Sequence, residues 1–235
     1  MYFTTIAEKI KKYFNVLAYV PFAIFIFSFY PPGINKSFEL IYLSHVHQAN
    51  FEKVDSVIVD SDYSLKQALE GVPIPAYIKD NLVIVDVNYY SFDNKLHRGQ
   101  VIVSKDLSGN IKEIFNKIEE AHFPVGKVIP IIKYSWSDML SMEDNNTTAF
   151  NYRNVKSTKL TSAHSLGRAI DINPVLNPQI KHGIVLPPGV VYDPSKPGTL
   201  TMNSIVVKAF IKRGWQWGGR WQSTKDYQHF EKAKK

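Results

Sequence analysis

The chain has 235 residues, 45% of them hydrophobic and 21% charged, which suits one sizeable domain with its own core and excludes a disordered polar tail. It has no cysteine, so disulfides, thiolate zinc sites, cysteine nucleophiles and lipid-modified cysteines are all excluded. The formal charge of +7 would suit nucleic acid, anionic lipid or an anionic cell-wall polymer, but the basic residues are scattered and no nucleic-acid motif is present, so nucleic acid is not an expected partner.

Residues 1–32 read as a basic flank followed by an apolar signal anchor or signal peptide. Lys9, Lys11 and Lys12 precede an uncharged run over 13–30, and Pro31-Pro32 ends it. The run is about 18 residues long, enough to span a bilayer as a helix. It lacks a small-x-small cleavage site, which favours a retained anchor with its basic flank in the cytoplasm. The competing reading is a buried, aromatic-rich helix weakened by Pro21. Residues 33–80 form an accessory lead-in. Short strands are expected at 38–43 and 54–59 and a helical turn at 63–69, before the breaker Gly71-Val72-Pro73-Ile74-Pro75.

Residues 81–235 read as an α+β catalytic unit. β-branched runs predict strands at 82–87 and 101–103. Ile111, Ile114, Phe115 and Ile118 recur at helical spacing, predicting a helix over 107–121 that ends at Phe123-Pro124. A further strand is expected at 128–134, and a second helix at 203–213 with Gly214 as its stop. No internal repeat or low-complexity tract is present.

The chemistry lies in the last third. Ser162-Ala163-His164-Ser165-Leu166-Gly167-Arg168-Ala169-Ile170-Asp171 brings one imidazole and one carboxylate, and Asp226-Tyr227-Gln228-His229-Phe230 brings another of each. Two histidines and one aspartate can hold zinc and leave a position for water, and the other aspartate can then move the proton. A strand at 169–172 would send Ile170 and Ile172 to the core and Asp171 to the other face. Gly167 would permit a bend that brings His164 to the same point. Asp226 and His229 would share a face on a helical turn but not in an extended strand. Trp215, Trp217 and Trp221, with Gly218-Gly219 between them, suit the wall and bend of a substrate groove or a Trp-rich core corner. His45, His47, His97, His122 and His182 lack such context and read as surface or satisfied core histidines.

These motifs in order, Ser-x-His-x-x-Gly-x-Ala-x-Asp, Trp-x-x-Gly-Gly-x-Trp and Asp-x-x-His-Phe-Glu, resemble the zinc D-alanyl-D-alanine carboxypeptidase family. That family includes the vancomycin-resistance carboxypeptidases and the L-alanyl-D-glutamate endopeptidases. The Asn-rich segment over 141–153 and Asp171-Ile172-Asn173-Pro174 extend the likeness to roughly 97–232. The resemblance implies one catalytic zinc on His164, Asp171 and His229. It implies Asp226 as acid/base, Arg153 as the residue that polarises the carbonyl or binds a substrate carboxylate, and Ser162 beside the substrate; Trp221 joins Ser162 as a substrate-binding candidate. The implied fold is a small antiparallel sheet with the zinc site on one face and helices packed behind, shared with the hedgehog signalling domain. Aspartate rather than glutamate at 226 resembles the endopeptidase branch. The expectation is a monomeric hydrolase of peptidoglycan stem peptides in the cell envelope, membrane-anchored through its N-terminal apolar segment or secreted. Two other readings are a non-catalytic, zinc-stabilised cell-wall-binding domain of the same fold and a phage-type or cytosolic lysin.

Overall fold

The computed structural model describes residues 56–153 and 162–234. The apolar run at 13–30, the strand expected at 38–43, and His45 and His47 lie outside the described residues.

The longest regular element is a β-hairpin. Strands β2 (Leu82–Tyr90) and β3 (Leu96–Ser104) pair antiparallel from Leu82↔Ser104 to Tyr90↔Leu96. Strand β1 (Ile58–Val59) joins β3 in parallel, giving the order β1-β3-β2. Helix α1 (Leu65–Ala68) opens with a capping box in which Ser64 Oγ accepts from Gln67 N and the Gln67 side chain accepts from Ser64 N. Ala68, Leu69 and Ile78 of α2 (Ala76–Lys79) bury against Leu82, Ile102 and Phe150. Residues 58–80 therefore share a core with the first sheet.

Helix α3 (Ser108–Glu120) buries Ile111, Ile114, Phe115 and Ile118, the stripe that its spacing predicts. Helix α5 (Ile205–Lys212) buries Val206, Val207 and Phe210, and Gly214 takes the left-handed φ of 78° that stops it. Both helices pack into one core with Val85, Val87, Ile170, Ile172 and Phe230. Each such side chain contributes roughly 1.5–3 kcal/mol by leaving water.

The strand expected at 128–134 is instead a two-residue strand, β4 (Lys127–Val128), followed by a 3-10 turn over Ile131–Tyr134. Pro130 stands between them and has no N–H for a ladder. β4 pairs in parallel with β5 (Asn146–Thr147), which follows α4 (Asp138–Glu143).

Two more small sheets complete the fold. One has the order β6-β11-β9, from β6 (Ala169–Asp171), β11 (His229–Glu231) and β9 (Gln216–Trp217). The other has the order β10-β7-β8, from β10 (Lys225–Asp226), β7 (Gln179–Lys181) and β8 (Ile184–Leu186). The architecture is mixed α+β with several small sheets and few helices. No helix among the described residues is long and apolar enough to cross a membrane.

Candidate metal and catalytic site

His164 arrives on a 3-10 turn that ends at Gly167, whose φ is 63°. A Cβ at Gly167 would lie 2.6 Å from Ser104 N and 2.8 Å from a Leu82 methyl, so the backbone approach and the left-handed turn both demand glycine. Ser165 ties this turn to the segment before it: its Oγ accepts from Arg153 N at 2.7 Å and donates to Asn151 O at 2.9 Å.

Strand alternation supplies the other two groups. Ile170 faces the core and Asp171 the opposite side, as the sequence pattern requires. β11 runs antiparallel to β6 with His229 opposite Asp171 and Phe230 opposite Ile170. Cross-strand partners share a face, so His229 meets Asp171 while Phe230 enters the core.

The three side chains converge. His164 Nε2 lies 3.2 Å from His229 Nδ1 and 3.3 Å from Asp171 Oδ2, and His229 Nδ1 lies 2.9 Å from Asp171 Oδ1. One ligand atom from each residue falls within a 4.8 Å span. Tetrahedral zinc with bonds of about 2.0–2.1 Å separates neighbouring ligand atoms by about 3.3 Å, so the donor set fits that ion. The outward nitrogens are tied off elsewhere: His164 Nδ1 to Ala149 O at 2.5 Å, and His229 Nε2 to Glu231 Oε2 at 3.3 Å. Such partners fix ring orientation and select the nitrogen presented to a metal.

The electrostatics match. Burial acts to raise the Asp171 carboxyl, but His164 and His229 overcome it and hold the group well below the usual carboxylate range. Burial acts to lower the His229 imidazole, but hydrogen bonds to Asp171 and Glu231 outweigh it and push the ring up to about 10. Asp226 is displaced the other way, raised by burial and by the Asp171 charge.

Asp226 and His229 do not share a helical turn. They sit on separate short strands, β10 and β11, joined by Tyr227-Gln228. Backbone bonds from Tyr227 N to Pro178 O and from Ile172 N to Gln228 O bend this segment, so both side chains reach one cavity. That cavity has a volume of about 630 Å³. His164, Asp171, His229, Asp226, Arg153, Ser162 and Trp221 all line it. Arg153 Nε is in ion-pair contact with Asp138, which also accepts from Asn151 Nδ2 at 2.5 Å. Ser162 Oγ accepts from His164 N at 3.3 Å. The Trp221 ring lies 5.4 Å from the His229 ring, centroid to centroid.

The tryptophan cluster divides between the two readings offered for it. Trp215 and Trp217 belong to the apolar core and Trp221 alone of the cluster lines the cavity; Trp217 stacks with Phe230, and its Nε1 donates to Tyr227 O at 2.8 Å. His182 is exposed, as its reading as a surface histidine requires, at the turn of the β7–β8 hairpin, where it also lines the cavity. Asp138, Ser165 and Gln179 carry no local signal, because their partners Arg153, Asn151 and Asp226 are distant in sequence. Glu231 stands in the His-Phe-Glu motif and could have been found there.

A family model described as D-alanyl-D-alanine carboxypeptidase matches residues 155–232. The match takes in all three converging residues and Asp226, and supports the zinc peptidase superfamily without selecting a subtype. No curated protein and no solved structure gives a significant match to the chain.

Proposed function

We propose that this protein is a zinc-dependent peptidase that hydrolyses the stem peptides of peptidoglycan. The observation that carries the reading is the convergence of His164 Nε2, His229 Nδ1 and Asp171 in a cavity that also holds Asp226 and Arg153. His164, Asp171 and His229 would hold the ion. Bound there, zinc supplies Lewis-acid activation of water and of the scissile carbonyl.

The chain's own residues do the rest. Asp226 takes a proton from the attacking water and later gives it to the leaving amine. Its raised pKa favours both transfers, since a carboxyl nearer neutrality is a better base and still a competent acid. Arg153, oriented by Asp138 and Ser165, presents its guanidinium to the carbonyl oxygen or to a substrate carboxylate. Ser162 and Trp221 line the substrate's path. Asp226 has one buried carboxylate oxygen without a partner among the described residues, a costly feature in a merely metal-stapled binding domain. This favours the enzyme over the non-catalytic reading.

The basic flank and the apolar run over 13–30 support an envelope location, with the catalytic unit outside the cytoplasmic membrane. Full-length protein incubated with purified muropeptides, with products read by mass spectrometry, tests the activity and identifies the bond. Loss of one terminal D-Ala indicates a carboxypeptidase, and a cut within the stem indicates an endopeptidase. Muropeptides returned intact by zinc-loaded protein would reject the proposal.

A further inference from the structure

Gln179 is not part of any motif in the chain, yet it makes the one hydrogen bond found to the Asp226 carboxylate among the described residues. Its Nε2 donates to Asp226 Oδ2 at 2.5 Å. The contact follows from register: β7 and β10 pair antiparallel with Gln179 directly opposite Asp226, so the two side chains leave the same face of the sheet. Behind Asp226, the backbone is wedged against Gly218, where a Cβ would lie 2.6 Å from Asp226 O and 2.8 Å from its Cβ. The carboxylate is thus held from one side by an amide and from the other by a position that tolerates no side chain. The other oxygen, Oδ1, is buried and has no partner among the described residues.

We infer that Gln179 is a positioning residue for Asp226, engaging Oδ2 so that Oδ1 is the single oxygen free to exchange a proton with the attacking water. The inference rests on the catalytic role given to Asp226 above. An amide suits the task because it donates without bringing a charge. A lysine or arginine there would pair with Asp226 and depress its basicity, and a carboxylate would compete with it for the proton. Hydrogen bonding to the ionised form also acts against burial and the Asp171 charge, which both raise the group. The same strand runs into the hairpin whose Lys181, His182, Ile184 and Leu186 line the cavity. The wall that meets substrate and the residue that aims the acid are therefore one element. His182 and Gly183, both at positive φ, 49° and 79°, close that hairpin in the two-residue form that matches strand twist.

Two measurements test this. In the first, the Gln179 side-chain amide is observed by proton–nitrogen NMR, which needs no turnover. The amide protons should exchange slowly and be shifted from free glutamine, and Asp226→Ala should abolish both features; unprotected protons, or protons indifferent to Asp226→Ala, overturn the inference. In the second, Gln179→Met keeps the length of the side chain while removing the donor, and Gln179→Glu puts there a carboxyl that competes with Asp226 for the proton. Each should lower kcat on a muropeptide about 10–100-fold, with zinc content retained and KM within about twofold. Unchanged kcat, or a loss of zinc or a rise in KM that accounts for the whole effect, would show a structural role only. If the wild-type protein cuts no peptide, the peptidase reading fails by itself, and the NMR result still judges the contact.

Discussion

His97 and His229 each stand between two carboxylates, and the two arrangements are built alike. His97 Nδ1 lies 3.0 Å from Asp60 and its Nε2 3.2 Å from Asp93. His229 Nδ1 lies 2.9 Å from Asp171 and its Nε2 3.3 Å from Glu231. What differs is the third neighbour. Beside His229, His164 turns its Nε2 to the same point, because its Nδ1 is taken by Ala149 O. Beside His97, the Tyr89 hydroxyl donates to Asp60 and the Tyr89 ring stacks on the imidazole at 5.7 Å. A hydroxyl donor closes that network where a second imidazole would have opened it to an ion. A histidine flanked by carboxylates is thus an ordinary structural unit, and a second nitrogen aimed at the same point makes it a candidate metal centre.

The largest expected difference between the clusters is metal binding itself. His164→Ala should reduce zinc to a trace by elemental analysis and abolish peptidase activity, whereas full zinc occupancy would dismantle the assigned ligand set. Asp226→Ala comes next. It should keep its zinc and lose at least about two decades of rate; loss of zinc would move Asp226 among the ligands, and surviving activity would place the acid/base elsewhere.

The pH dependence of zinc affinity sharpens the comparison further. With its imidazole pushed up to about 10, His229 in the metal-free protein carries a proton through the neutral range, and zinc must displace it. Apparent affinity should therefore rise about tenfold per pH unit between about pH 7 and 9, flattening as the pH passes the raised value. The Asp171 carboxyl is held low and releases no proton in that window. A flat profile by competitive titration would contradict the assigned protonation of His229.

The smallest effect belongs to the other cluster. His97→Ala should leave zinc content and kcat unchanged while lowering unfolding free energy by about 1–3 kcal/mol, read by denaturant titration. The loss follows from Asp60, which would keep the Tyr89 hydroxyl but lose the imidazole. A drop in zinc in that variant would mean that the two clusters are coupled.

Much of this protein is legible along the chain. Helices α3 and α5 follow from apolar residues at helical spacing, and the Gly214 stop follows from glycine's freedom at positive φ. The alternation of Ile170, Asp171 and Ile172 separates core from site because strand side chains change face at every residue. Motif likeness singled out His164, Asp171 and His229, and the fold brings their ligand atoms together.

Other features were decided only by the tertiary structure. Asp226 and His229 have a spacing that suggests a helical turn, but their strands pair with different partners, β7 and β6, and long-range pairing overrode the local pattern. Trp217 and Trp221 look equivalent in sequence; Trp217, on strand β9, fills the core, and Trp221, beyond the 3-10 turn over Gly218–Arg220, lines the cavity. The roles of Asp138, Ser165 and Gln179 depend on partners 15, 14 and 47 residues away, respectively Arg153, Asn151 and Asp226. Local spacing fixes which face a side chain leaves by, since that is a property of a few bonds. Which group waits on the other side of that face is a property of chain closure, and no short stretch of sequence contains it.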